Sequence, residues 1–112
     1  MIMLTPHFAT ISEKEKIMVC FVNSQNEQVA RAVIKTNESE KELADRAIES
    51  LSRTHNFVIG KPVNGRRWSE SNKKLVPAGR VSNNLVKETL KKIVAYQNKQ
   101  KIVNVPVGTP YK

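Results

Sequence analysis

This chain has little of what usually announces a function. Cys20 is the single cysteine among 112 residues, so no intramolecular disulfide can form and no C-x-x-C pair is present. It lies in the run Ile17-Met18-Val19-Cys20-Phe21-Val22, where a buried, inert thiol is expected. The two histidines, His7 and His55, make no H-x-x-x-H spacing, so neither a metal nor a cofactor is expected. Aromatic residues make up only 5 %, which leaves the core to Val, Ile, Leu and Ala. No apolar run approaches the roughly 18 residues needed to cross a bilayer. The first residues, Met1-Ile2-Met3-Leu4-Thr5-Pro6-His7, lack the basic and long apolar stretches of a secretory signal. The cytoplasm is therefore the expected compartment, with no membrane partner. Internal repeats and low-complexity segments are also missing.

Acidic residues are scarce in one half of the chain. Residues 1–50 carry six Lys/Arg and eight Asp/Glu, whereas residues 51–112 carry thirteen and two. The net charge of +9 therefore resides in the second half. Two carboxylates are too few for a two-metal nuclease site there. So lopsided a basic half points to a polyanionic partner, of which nucleic acid is the commonest.

Apolar patterning predicts one α+β domain over residues 1–112. Residues 1–15 read as an irregular arm, because Pro6 blocks early regular structure, and residues 106–112 read as a loose tail. The run 17–22 suits a strand buried on both faces, and 29–35 alternates like a second strand. The polar segment Asn23–Gln28 between them predicts a hairpin. A helix follows, capped at Asn37 or Ser39, with Leu43, Ala44, Ala47, Ile48 and Leu51 on one stripe. Its early acids and later Arg46 and Arg53 suit the helix dipole.

Phe57-Val58-Ile59 predicts a short strand, Asn64-Gly65 a turn and Arg66–Ser69 a short return strand, with 70–81 as loop. A second helix is expected over 83–98, capped by Ser82 or Asn83, with its stripe on Leu85, Val86, Leu90, Ile93 and Val94. Ile102, Val103 and Val105 suggest a last strand before Pro106. The expected architecture is one small, mostly antiparallel sheet, in the order β-β-α-β-(β)-α-β, with two helices packed on one face.

The candidate site is the segment 55–80 together with a helix face. Lys61, Arg66, Arg67, Lys73, Lys74 and Arg80 face only Glu70 in opposition. Such cations neutralise phosphates and release counterions. Trp68, beside the Arg pair, suits either core anchoring or stacking on an exposed base. Lys87 and Lys91 share one face of the second helix, with Lys99 and Lys101 beyond. Four residues separate Gly60 from Gly65, so the compact G-x-x-G clamp of KH domains is not matched. Arg66-Arg67 follows Gly65 where a nucleotide phosphate loop requires Lys-Ser/Thr.

These features predict a non-enzymatic protein that binds DNA or RNA, mainly through phosphate contacts, with no catalytic residue assigned. The alternative is a small interaction module, a regulator or inhibitor docking on an acidic protein surface, of the kind that mobile genetic elements carry. A metal-independent nuclease using His55 as general base, with Arg66 or Arg67 steadying phosphate charge, ranks third.

Overall fold

Three consecutive strands build the sheet because their apolar residues supply two buried faces. The computed structural model describes residues 2–54 and 56–103. Strand β1 spans Ile2–Ile11, β2 Lys16–Val22 and β3 Gln28–Lys35. β2 pairs antiparallel with both neighbours. The β2–β3 turn is held by Asn23, whose Oδ1 accepts from the backbone N–H groups of Gln25 and Glu27 at 2.9 and 3.0 Å. Such a side chain mimics a backbone turn. Helix α1 (Glu40–Leu51) follows, then β4 (Phe57–Ile59), β5 (Val63–Asn64), β6 (Arg66–Ser69), β7 (Lys74–Pro77) and helix α2 (Asn83–Val103). β4 and β5 each pair parallel with β1, and β6 and β7 form a separate antiparallel hairpin. The α+β class, with one main sheet and two helices, is as the sequence predicts.

Side-chain alternation sorts the sheet into two faces. One face presents Leu4, Phe8, Val19, Phe21, Ala30, Ala32 and Ile34 to the helices, which contribute Leu43, Ala47, Leu51, Leu85, Val86 and Ile93. The opposite face gathers Met18, Cys20 and Val22, and Trp68 and Leu75 of the hairpin pack on it. The layers are thus helices, sheet and hairpin. Cys20 is fully buried, and that burial pushes its thiol pKa up, as suits an inert packing residue.

Both helices begin at serine caps. Ser39 accepts from the Lys41 backbone N–H, and Ser82 Oγ accepts from that of Leu85. Side chains of α1 and of the segment before it close the outer edge of β3: Ser50 Oγ accepts from Arg31 N–H and Arg46 Nη1 donates to Val33 O, while Glu38, just ahead of the helix, accepts from Lys35 N–H through Oε1. Arg46 thereby serves the sheet edge, where the sequence points to the helix dipole. On the other edge, Gln97 of α2 donates to Phe57 O at 2.6 Å. Covered edges resist strand pairing with a second copy.

The structure departs from the sequence expectations in several places. Residues 2–11 form a strand at the centre of the sheet, where an irregular arm is predicted. Pro6 is tolerated because even-numbered residues of β1 direct their backbone groups toward β4 and β5. Leu4 O accepts from Gly60 and Phe8 O from Gly65, and the missing N–H of Pro6 falls between these rungs, where the ladder is interrupted. Residues 74–77 form β7 inside the predicted loop, since Leu75 finds the second apolar face.

Ile102 and Val103 end α2 and do not open a strand, because the interval from 83 to 103 holds no Gly or Pro to stop the helix. Val105 and the predicted tail 106–112 lie outside the described residues. Finally, Val94 is 43 % exposed, and Thr89 is buried in its place. The buried line of α2 runs through residues 85, 86, 89 and 93.

Candidate nucleic-acid interface

Strand β6 crosses the hairpin-facing side of the sheet above a row of three residues. His7, Cys20 and Arg31 are direct cross-strand neighbours on β1, β2 and β3. Arg66 lies close enough to His7 to disfavour its protonation, the Trp68 backbone meets the Cys20 thiol, and Glu70 pairs with Arg31 at 3.6 Å. Register on the hairpin places Trp68 opposite Leu75, Arg67 opposite Val76 and Ser69 opposite Lys74. The first pair faces the sheet. The other two carry Arg67 and Lys74; Lys74 is exposed, whereas its partner Ser69 is buried in the turn. The turn is closed by Lys73 at φ 54°, with the Ser69 hydroxyl accepting from Asn72 N–H.

Gly65 fixes how the hairpin leaves the sheet. Its φ of +99° is a conformation that L side chains rarely adopt. Its N–H donates to Phe8 O at 2.7 Å, and its own carbonyl accepts from Ala78 at 2.8 Å. The stem of Arg80 lies against it, which brings Arg80 to the Arg66 end of the hairpin. Asn64 and Gly65 thus make a bend between β5 and β6 and not the two-residue hairpin turn that the dipeptide suggests.

The structure gathers Arg66, Arg67, Trp68, Lys73, Lys74 and Arg80 around one hairpin. Lys61 is exposed on the connector between β4 and β5, at the sheet edge. Lys87 and Lys91 are exposed on α2, in the layer across the sheet from the hairpin. The loop and the helix face are therefore two basic regions. Arg66, Arg67, Lys74, Arg80, Lys61, Lys87 and Lys91 form no ion pair with a described residue; Lys73 approaches Glu70 at 3.9 Å. Unpaired cations are available to an anionic ligand at no cost of breaking an internal pair.

Trp68 is half-buried and is both an anchor and a surface. It packs on the second apolar cluster, yet it lines two open clefts of about 510 and 440 Å³. The first is bounded by Arg31, Arg67 and the β1–β2 turn at Ser12, the second by Lys73 and the turn 25–28. Arg31 and Glu70 join this cluster, a neighbourhood that clustering in sequence does not reveal. The alternation of β3 was the available signal for Arg31, since it points away from Ala30 and Ala32.

Comparison with known proteins was negative. No known family, curated protein or solved structure matches this chain. Among the described residues no group of three His, Cys, Asp or Glu could hold a metal ion, and no helix is long and apolar enough to cross a membrane. His55, the base of the nuclease alternative, lies outside the described residues.

His7 is buried, with 6 % of its surface exposed, and its Nδ1 has no hydrogen-bond partner among the described residues. Burial first, and the Arg66 charge second, hold its pKa below the ordinary 6.5. The unfolded chain then protonates before the folded one as pH falls. Stability is complete above about pH 6.5 and declines as pH drops from there through the lower folded value. Thermal unfolding of the wild type should therefore shift downward between pH 7.5 and 5.5. His7→Gln should flatten that shift, and an unchanged shift would remove His7 as its cause.

Proposed function

We propose that this protein binds nucleic acid without catalysis, through the basic hairpin β6–β7 and its flanks, and mainly by phosphate contacts. One observation carries the proposal. Arg66, Arg67, Lys73, Lys74 and Arg80 converge on one hairpin with Glu70 as the nearest opposing charge, and four of the five are free of ion pairs with described residues. Each phosphate neutralised releases counterions, so affinity should fall steeply with salt. Lys61, Lys87 and Lys91 would extend the field to the sheet edge and the helix layer.

The test is fluorescence anisotropy with labelled single-stranded DNA, duplex DNA and RNA, each titrated with salt. The double variant Arg66→Ala/Arg67→Ala should weaken binding across sequences and lower the log–log salt slope by about 2, close to one for each phosphate that is no longer neutralised. Absence of binding even at about 50 mM salt, where screening is weak, would overturn the proposal.

One feature favours docking on an acidic protein instead. Met3 is 56 % exposed, and its side chain lies against Gly60, the residue before Lys61. An exposed apolar side chain near a cation suits a small protein contact. A purified chain that ignores all three nucleic acids would make this the leading function.

A further inference from the structure

Resting on the nucleic-acid function proposed above, we infer that the two clefts flanking Trp68 form a track for a single strand, in which an unpaired base stacks on the Trp68 indole. Three observations carry this beyond a general phosphate surface.

The indole is anchored. It packs against the buried cluster of Met18, Cys20 and Val22, with Leu75 opposite it on β7, so little conformational freedom remains to be lost when a base stacks on it. Trp68 also lines two clefts, both within the range of small-ligand pockets of about 300–1,000 Å³. Clefts that share Trp68 and Glu70 offer successive positions to a strand.

Charge is distributed unevenly along this path. Arg67 and Arg31 border the first cleft, against Glu70, and draw phosphate; in the second, Lys73 stands beside the carboxylates of Glu27 and Glu70, a lining that suits a base more than a phosphate. A strand passing Trp68 keeps its phosphates along Arg31 and Arg67 while one base turns toward the second cleft. Arg67 has no ion pair with a described residue, and the Arg31–Glu70 and Lys73–Glu70 contacts are exposed and long, at 3.6 and 3.9 Å, so they yield to a phosphate at little cost.

The second cleft also holds uncommitted hydrogen-bonding capacity. Gln28 lines it, and Gln28 Oε1 has no partner among the described residues. A buried acceptor left unpaired is costly, and a base N–H reached by a small rotation of that amide would satisfy it. The carboxylate of Glu70, which lines both clefts, is a second acceptor for exocyclic amino groups.

Paired DNA or RNA cannot use this arrangement, because its bases are already stacked and only its phosphates reach the hairpin. Nor can the hairpin enter a major groove as a free ribbon, since Trp68 and Leu75 pin one of its faces to the sheet.

Trp68 is the only tryptophan, so its fluorescence reports on this site alone. Three labelled probes of about twelve nucleotides are compared by anisotropy: oligothymidylate, an abasic strand with the same phosphates, and a duplex. Trp68 emission is followed in parallel with unlabelled probe. The expected result is quenching by oligothymidylate and an affinity at least about fivefold above that for the abasic strand, the gain expected from stacking one base on an aromatic ring. Trp68→Leu, which keeps an apolar residue on Met18 and Cys20, should bring oligothymidylate down to the abasic level while leaving the salt slope unchanged.

Equal binding of all three probes with unchanged emission would overturn the inference and leave the phosphate surface standing. Failure of every probe to bind would overturn the inference, and failure of RNA to bind in the salt titrations as well would overturn the proposed function with it. If Trp68→Leu does not fold, the wild-type comparison of oligothymidylate with the abasic strand, read with emission, still decides the matter.

Discussion

Phe8→Ala is expected to remove about 3–5 kcal/mol of folding stability, the usual cost of deleting a fully buried phenyl ring and leaving a cavity. Phe8 has no exposed surface and lies in the cluster where Leu4, Val19 and Phe21 of the sheet meet Leu43, Leu51, Leu85 and Ile93 of the helices. Few other aromatic residues are available to fill the void, since the chain contains only three Phe. Domains of this size are commonly stable by about 5–15 kcal/mol, so the variant should sit near the edge of folding. Urea denaturation measures the loss. Phe8→Leu, which keeps most of the volume, should cost less than about 1.5 kcal/mol. Equal losses for both variants would show that ring volume is not what matters at this position. The effect also bears on the interface, because the Phe8 carbonyl accepts from Gly65, where the hairpin departs.

Asn64→Ala should cost about 2–5 kcal/mol, far above a typical surface change. Asn64 makes a two-point clamp on Val81: its Nδ2 donates to Val81 O at 2.7 Å, and its Oδ1 accepts from Val81 N–H at 2.9 Å. Val81 is buried, so truncation strands both a donor and an acceptor, each worth about 1–3 kcal/mol when left unpaired. The clamp ties β5 to the connector that carries Arg80 and leads into Ser82, the cap of α2. Hydrogen exchange at the Val81 amide should accelerate markedly in the variant. Exchange at Val81 unchanged from wild type would mean that the connector is held by other contacts, such as the bond from Thr10 N–H to Gly79 O at 2.8 Å.

Much of the fold was legible because its signals are local. The β2–β3 hairpin follows from an apolar run, a polar turn and an alternating run. Helix α1 follows from Ser39 and from Leu43, Ala44, Ala47 and Leu51, all of which are buried. The start of α2 follows from Ser82, Leu85 and Val86. Strand β1 was not legible, because Pro6 disqualifies a strand unless its missing N–H falls at a break in the ladder, and that break exists only once β4 and β5 are docked. Strand β7 was hidden for a related reason: two apolar residues, Leu75 and Val76, show no period until a partner strand is beside them.

The same division runs through the interface. The sequence by itself determined the sign of the charge, its concentration in the second half, and the cluster Arg66, Arg67, Trp68, Lys73 and Lys74, since residues close in sequence stay close in space. Only the tertiary structure decided which cations share a surface. It set Lys87 and Lys91 in the helix layer and the hairpin on the other face of the sheet, brought Arg31 and Glu70 together from positions 39 residues apart, and left Trp68 half in the core and half in two clefts. The physical reason is that a strand's alternation assigns each residue a face, but what covers that face depends on which distant segments pack there.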